Sequence, residues 1–206
     1  HKLVFFAPHE KFVYHSQKIT IPEGHGFPYR GSEKVQKRLQ EEMELAVKAL
    51  DLDNCSVNAD VFVDGEQVWI IEMGGRTGAT CIPELISMYY GFDFYKKILQ
   101  NALGEKLDFS PERQGIHCMA KLLMSPVDGR ITGIDYEEIE NLRREGIEIA
   151  LDYPVGHPVE IMQNGTTRIG HVVARAGSVE ELDKIVARVY GCIEVNGVSL
   201  EELWEK

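Results

Sequence analysis

Two carboxylates and an arginine lie close together in the sequence, next to a run of glycines. Glu72 follows Asp60 by twelve positions and is itself followed directly by Met73-Gly74-Gly75-Arg76. Mg²⁺ prefers hard oxygen ligands and is usually held by one or two carboxylates, while substrate phosphates and water complete its octahedron. The two acids therefore suit a metal ion bound together with a phosphate-bearing substrate better than a metal cage built from protein alone.

The loop after Glu72 has the composition of an anion-binding loop. Glycines allow backbone amides to approach an anion closely, and Arg76 offers a permanent planar charge that can bridge phosphate and carboxylate oxygens. Two plainer interpretations stay open at this point. Two acids on neighbouring strands are common by chance, and the loop could be an ordinary strand-to-helix turn with a surface arginine.

A β-hairpin is predicted to position these residues. The segments Val57–Val63 and Gln67–Glu72 are rich in β-branched and aromatic residues, and the dipeptide Asp64-Gly65 between them suits the positive φ values of a tight turn. Asp60 then lies on one strand and Glu72 at the end of the other. Such a hairpin can bring both carboxylates to one end.

The spacing of apolar residues predicts the remaining elements, and together they indicate an α+β fold. The predicted strands are Lys2–Ala7, Phe12–Ile21, Ile116–Met124, Ile147–Leu151, Arg168–Ala174 and Cys192–Val195, and the predicted helices are Ser32–Leu50, Ile82–Tyr90, Phe92–Leu103, Tyr136–Arg144 and Ser178–Tyr190. Ser32 is predicted to cap the first helix, whose apolar face consists of Val35, Leu39, Met43, Ala46, Val47 and Leu50, and Ser178 with Glu181 is predicted to form a capping box at the start of the last helix. Pro22–Gly31 is predicted to be a loop because it is rich in glycine and proline. The pattern divides the chain into residues 1–109 and a small α+β domain of residues 110–206.

The run Leu3-Val4-Phe5-Phe6-Ala7 is uncharged and strongly β-prone, so it would be an aggregation hazard on an open sheet edge. Two interpretations are open. The run is an inner strand of a larger sheet, in a domain whose earlier part precedes His1, or it is an ordinary buried first strand.

Composition excludes several classes of protein. The chain has 206 residues, 44% of them hydrophobic, and a formal net charge of −11, which argues against nucleic acid as a partner. No apolar run is long enough to span a membrane, and no signal peptide is visible. The four cysteines show no CxxC spacing, so neither a zinc knuckle nor a disulfide framework is indicated. We expect a soluble protein of the reducing cytoplasm.

The pattern of Asp60, eleven residues, then Glu72-Met73-Gly74-Gly75-Arg76 resembles the late signature of the ATP-grasp superfamily. It is nearest to the branch of L-amino acid ligases, biotin carboxylase and carbamoyl phosphate synthetase. The resemblance implies that residues 1–109 are the C-terminal portion of an ATP-grasp domain, an antiparallel sheet with helices, and that residues 110–206 are the small C-terminal domain. It also implies that ATP and Mg²⁺, or Mn²⁺ in its place, are the cofactors.

The same resemblance assigns roles to individual residues. Asp60 and Glu72 would ligate the metal ions that bridge the ATP phosphates, and Arg76 would stabilise the transferring phosphoryl group or the acyl phosphate. Phe62 and Ile71 fall at positions that line the adenine pocket in this family, so the resemblance places them, together with Glu72 and Arg76, around the nucleotide.

Two further positions bear on this resemblance. Gly74 stands where the family usually has a metal-binding asparagine, so the second metal would be held by water or bound weakly. His15-Ser16-Gln17-Lys18-Ile19 is similar to a biotin carboxylase strand that ends in Gln-Lys-Val, which makes Lys18 a candidate for binding the substrate carboxylate or the acyl phosphate. The alternative for Lys18 is a surface lysine on an edge strand.

The expected function is therefore an ATP-dependent carboxylate-amine ligase that acts through an acyl phosphate. Its partners would be a small carboxylate, such as an amino acid, an amine, and the missing N-terminal part of the same protein, and the resemblance allows a homodimer. Two alternatives remain: a bicarbonate-using carboxylase or carbamoyl phosphate synthetase-like enzyme, and a non-catalytic module that keeps the ATP-grasp fold.

Overall fold

The structure is a computed structural model of the chain and describes residues 3–15, 20–112 and 115–205. It forms two compact units. The first unit contains His1–Glu10 and Pro28–Gln114, and the second contains Lys11–Phe27 and Gly115–Lys206.

Strands and helices alternate along both units. In chain order they are β1 (Glu10–His15), β2 (Thr20–Phe27), α1 (Glu33–Ala49), β3 (Asn58–Asp64), β4 (Gln67–Gly74), α2 (Ile82–Tyr90), α3 (Phe94–Ala102), β5 (His117–Met124), β6 (Gly129–Ile134), α4 (Tyr136–Arg144), β7 (Glu148–Leu151), β8 (Pro158–Val159), β9 (Arg168–Ala176), α5 (Val179–Gly191), β10 (Ile193–Val195), β11 (Val198–Ser199) and α6 (Leu200–Trp204).

Helix α1 supports the β3–β4 hairpin in the first unit. Ser32 caps the helix, since its Oγ accepts a hydrogen bond of 3.3 Å from the backbone N–H of Val35. The buried residues of the helix are Val35, Leu39, Met43 and Val47. The periodicity therefore predicted this face correctly, except at its end: Leu50 follows the last helical residue and is 56% exposed.

The strand predicted at Lys2–Ala7 is wrong for the described residues, because residues 3–9 form neither strand nor helix. Phe5 packs instead into a group of aromatic rings in the first unit. Its ring centroid lies 4.8 Å from that of Phe109 and 5.0 Å from that of Tyr90, and Phe92 also contacts it. Aromatic packing of this kind partly shields Phe5 from water without strand pairing, whereas Val4 stays exposed.

The second unit is built on a five-stranded sheet with the order β1-β2-β5-β9-β7. Strand β2 pairs antiparallel with β5, from Gly24 opposite Lys121 to Phe27 opposite Cys118. The loop predicted at Pro22–Gly31 is therefore wrong up to Phe27. A side chain at Gly24 would collide with the carbonyl oxygen of Ala120, so this glycine permits the close pairing of two strands rather than marking a loop.

The pairing of β2 with β5 also explains why Lys11–Phe27 groups with the second half of the chain. This grouping by contacts differs from the predicted division at residues 109 and 110 in that segment and in residues 110–112, which group with the first unit. The division into functional domains at that point stays a prediction.

The core of the second unit lies between the five-stranded sheet and its helices. Leu123 on β5, Val172 on β9 and Val189 on α5 are all buried within one apolar cluster. A smaller sheet, with the order β11-β10-β6-β8, completes the unit. Among the residues that the structure describes, none of the helices has the length and apolar character that a membrane crossing requires.

The predicted capping box at the start of α5 is confirmed, and it provides a stability test. Ser178 Oγ accepts a hydrogen bond of 3.2 Å from the backbone N–H of Glu181, whose carboxylate accepts one of 2.9 Å from Gly177 N–H. Ser178→Ala is expected to lower the free energy of unfolding by about 1 kcal/mol. The melting temperature should fall by about 2–4 °C. Ser178→Thr, which keeps the hydroxyl, should melt within a degree or so of the wild type, and equal losses in both variants would contradict this account.

Candidate functional site

The β3–β4 hairpin makes Asp60 and Glu72 cross-strand partners. Their Cα atoms are paired in the antiparallel register, so both side chains leave the same face of the hairpin. Directly opposed residues have Cβ atoms about 4.5–5.5 Å apart, a separation that two carboxylates can span with one metal ion between them. Asp60 is half-buried and Glu72 is exposed. The structure thus brings the two predicted metal ligands together.

An irregularity next to this pair determines which residues share its face. The register shifts between Asp60 and Val61, because Val61 pairs with Ile70 and leaves Ile71 as an extra residue on β4. An extra residue of this kind is a β-bulge, which turns two successive side chains toward one face. Ile71 and Glu72 are both exposed as a result.

An apolar surface lies beside the carboxylates on the same exposed face. Phe62 is 56% exposed, Trp69 45% and Ile71 69%. Phe62 and Trp69 are cross-strand partners with ring centroids 5.8 Å apart. Large apolar side chains exposed together are typical of a surface that binds something. Phe62 and Ile71, predicted to line an adenine pocket, thus lie together with Trp69.

Trp69 was missed in the sequence, although a signal for it was present. Gly65 and Glu66 form the two-residue loop of the hairpin, and Gly65 has the positive φ of 58° that this turn needs. Counting outward from that loop pairs Trp69 with Phe62. The sequence prediction placed the turn at Asp64-Gly65, one residue too early, and so the pairing was not visible.

Arg76 lies next to the same face. Its Cγ and Nε are 3.6 and 3.8 Å from the point that a Cβ of Gly74 would occupy, and Gly74 is two residues beyond Glu72 on β4. Its Nη1 donates a hydrogen bond of 2.8 Å to the carbonyl oxygen of Thr77. Within the described part of the chain Arg76 makes no ion pair. Its charge is therefore free to meet an anionic ligand.

Gly74 is not required by the backbone. Its φ is not positive, and a Cβ there would make only ordinary contacts with Arg76, whereas a Cβ on Gly78 would come within 2.6 Å of Asn58 Oδ1 and 2.6 Å of Ile82 Cδ1. The Cβ of an asparagine at position 74 would therefore fit without a steric clash. Compared with the expected asparagine, Gly74 removes one potential metal-ligating side chain and leaves the shape of the loop unchanged.

Alanine at the two glycines is expected to have opposite effects on stability. Gly74→Ala should raise the free energy of unfolding by about 0.4–1 kcal/mol, because alanine restricts the unfolded chain and fits the folded one. Gly78→Ala should lower it by about 1 kcal/mol or more, because Asn58 and Ile82 must move. Urea unfolding of the two variants checks this, and a destabilised Gly74→Ala would show that the loop depends on glycine there.

The backbone is strained where the loop enters α2. Thr80 and Cys81 have φ values of 58° and 61°, a region that β-branched residues in particular avoid. Each such residue costs about 1–3 kcal/mol and persists only where surrounding structure holds it. The sequence contains no signal for this strain.

The residues at the hairpin fit a nucleotide-bound magnesium ion rather than a metal held by protein alone. In the described ranges, no group of three or more His, Cys, Asp or Glu side chains could hold a metal ion. Two opposed carboxylates on an exposed face leave the remaining positions of an octahedron to phosphates and water. Lys18, the other predicted catalytic residue, lies outside the described residues.

No protein-family model matches the chain, and no curated protein matches it. Solved structures do match. The chain is similar to phosphoribosylglycinamide synthetase from Anaerococcus prevotii, with 25% identity and a TM-score of 0.78 over 93% of this chain and 49% of that chain. It is also similar to L-amino acid ligase from Bacillus licheniformis, with 16% identity, a TM-score of 0.68 and coverage of 84% and 44%. A third match is biotin carboxylase from Campylobacter jejuni, solved as a β,γ-ATP complex, with 16% identity, a TM-score of 0.63 and coverage of 88% and 41%.

These matched proteins are ATP-grasp enzymes. The chain has the fold of the C-terminal part of an ATP-grasp enzyme. The resemblance to the ATP-grasp superfamily and the predicted α+β fold class are both confirmed. The chain spans less than half the length of these three ATP-grasp structures. Similarity of fold does not test the roles of individual side chains, so the ATP-grasp roles of Asp60, Glu72 and Arg76 stay predictions.

Proposed function

We propose that this chain is the C-terminal part of an ATP-dependent carboxylate-amine ligase and that its β3–β4 hairpin holds the magnesium ion of Mg-ATP. The observation that carries the proposal is the direct cross-strand pairing of Asp60 with Glu72 on an exposed face. Like charges directly opposite each other destabilise a hairpin, and a cation bound between the two carboxylates would relieve this repulsion. The ATP-grasp fold supports the class of reaction.

Arg76 is assigned to the transferring phosphoryl group. In the proposed reaction a carboxylate oxygen attacks the γ-phosphorus and the bond to ADP breaks, and an amine nitrogen then attacks the acyl carbon as phosphate leaves. Mg²⁺, when bound, supplies neutralisation of the phosphate charge. Phosphoryl transfer depends mainly on positioning and on charge stabilisation, and the planar charge of the Arg76 guanidinium can contribute to both beside the carboxylates.

The apolar face of the hairpin is assigned to the adenine ring. Phe62, Trp69 and Ile71 are exposed side by side and next to Glu72, so a base stacked on them would direct its phosphates toward the acidic pair. A complete nucleotide site needs a second wall. We assign that wall to the part of the ATP-grasp fold that this chain does not span.

The similarity to biotin carboxylase supports a second candidate, in which bicarbonate is the acid that is phosphorylated. Bicarbonate dependence separates the two. A ligase releases phosphate only when an organic carboxylate and an amine are supplied, whereas a carboxylase or carbamoyl phosphate synthetase-like enzyme requires bicarbonate. A third outcome, no binding of millimolar Mg-ATP, would support a non-catalytic module, for which Gly74 is the supporting feature.

The experiment is a phosphate-release assay on the full-length protein. ATP and Mg²⁺ are combined with a panel of amino acids as acids and amines, with and without added bicarbonate. The proposal expects release that depends on ATP, Mg²⁺ and a pair of organic substrates. Release that requires bicarbonate and no organic acid would replace the ligase by the carboxylase, and binding of Mg-ATP without turnover on any substrate would contradict both enzyme proposals.

A further inference from the structure

Asn58 shares a face of the hairpin with the two carboxylates. It lies two residues before Asp60 on β3, so its side chain leaves the same side of the strand. In the register, Asn58 is the direct partner of Gly74, as Asp60 is of Glu72. These two cross-strand pairs, separated by the pair of Ala59 with Met73 on the other face, bring one carboxamide and two carboxylates together. The fourth residue of the group, Gly74, has no side chain.

The carboxamide of Asn58 lies against the glycine loop. A Cβ on Gly78 would come within 2.6 Å of Asn58 Oδ1, so the absence of a side chain at position 78 makes room for this amide. Asn58 is half-buried, and within the described part of the chain its side chain makes no hydrogen bond that would account for its position. The oxygen of a half-buried carboxamide that no protein group engages is an acceptor available to a ligand.

We infer that the Oδ1 atom of Asn58 is the third protein oxygen of the metal site, supplied from β3 across the strand from Gly74. This inference rests on the proposed function. Amide oxygens are hard ligands of the kind that bind Mg²⁺ and Mn²⁺. A neutral amide adds a ligand without adding to the repulsion between Asp60 and Glu72. Because the opposite position is glycine, nothing on β4 competes for the space that the amide uses.

The register provides a rescue experiment. An asparagine at position 74 offers the same amide from the opposite strand, and a Cβ there meets only Arg76 at 3.6 Å. If Asn58 is a ligand, Gly74→Asn should compensate for Asn58→Ala. If Asn58 only stabilises the loop, an amide on the other strand cannot replace it.

The test measures Mn²⁺ affinity by electron paramagnetic resonance, on the full-length protein in the presence of a non-hydrolysable ATP analogue. Asn58→Ala should weaken Mn²⁺ binding about tenfold, and the double variant Asn58→Ala/Gly74→Asn should recover most of that loss. The control is Asp64→Asn, which removes an exposed acid of the same strand near the turn and should leave the affinity unchanged. Melting temperatures show whether each variant is folded.

The outcomes separate this inference from the proposed function. Mn²⁺ affinity within twofold of the wild type in Asn58→Ala overturns the inference, and so does a loss that Gly74→Asn does not recover. In either case weakened binding in Glu72→Ala would leave the proposed function standing. If Glu72→Ala binds Mn²⁺ as well as the wild type does, or the wild type binds none with the nucleotide, the proposed function fails and the inference fails with it.

Discussion

Arg76→Ala is expected to lower the rate of ATP-dependent phosphate release by about 10³-fold while the protein stays folded and still binds Mg-ATP. An arginine that stabilises a transferring phosphoryl group contributes about 10³–10⁵ to the rate of phosphoryl transfer. Arg76 is exposed and lies beside the face of β4 that carries Glu72. Within the described residues its guanidinium donates one hydrogen bond, to the carbonyl oxygen of Thr77. Its removal should therefore cost little stability and act mainly on catalysis.

Two further variants make this result specific. Arg76→Lys keeps the charge but loses the planar fork, so we expect a rate between those of the wild type and the alanine variant. Arg38→Ala removes an exposed arginine of α1 that pairs with Glu42, and its rate should match the wild type. Steady-state assays at saturating ATP check all three, and a loss of less than fivefold in Arg76→Ala would remove this residue from the catalytic machinery.

Glu72→Ala is the second large effect. We expect phosphate release to fall by about 10²–10³-fold, on the scale of a lost charge-stabilising group, and the Mg²⁺ concentration needed for half-maximal rate to rise. Asp64→Ala is the matched control, because Asp64 is an exposed acid four cross-strand pairs closer to the turn than Asp60 and Glu72. Its rate and Mg²⁺ requirement should be unchanged.

Stability distinguishes a lost metal ligand from a damaged fold. Glu72→Gln removes one of two directly opposed like charges, so in the absence of metal it should be at least as stable as the wild type and more stable by up to about 1 kcal/mol. Substitution of Glu72 would then lower the rate of phosphate release without lowering the free energy of unfolding. Activity that survives in Glu72→Ala, or a hairpin that unfolds in Glu72→Gln without metal, would contradict the assignment.

Local patterns predicted the elements that depend on local rules. Ser32 and Ser178 cap the helices where predicted, and the hydrophobic period identified the buried face of α1. The strand predicted at Lys2–Ala7 is wrong because the aromatic side chain of a β-prone run can also be held by packing on other rings, as Phe5 is on Phe109. The two glycines and the single proline of β2 predict a loop, because sequence alone does not show that Ala120 approaches Gly24. These errors all depend on contacts between distant residues.

The site could be predicted in part for the same reason. Asp60, Glu72 and Arg76 are close in sequence around one turn, so their proximity followed from a hairpin. The bulge that turns Ile71 and Glu72 to one face has no sequence signature, and it is what pairs Glu72 with Asp60 on the face where Phe62 and Trp69 meet. Asn58 could be found only once the register placed it opposite Gly74.

The most direct test of the central claim is nucleotide binding with and without Mg²⁺. Titration calorimetry compares the full-length wild type with the double variant Asp60→Asn/Glu72→Gln, which keeps the shape of both side chains and removes both charges. The account predicts that Mg²⁺ strengthens ATP binding to the wild type at least tenfold and that this increase disappears in the double variant. An equal increase in both proteins would show that the magnesium ion is not held by this hairpin.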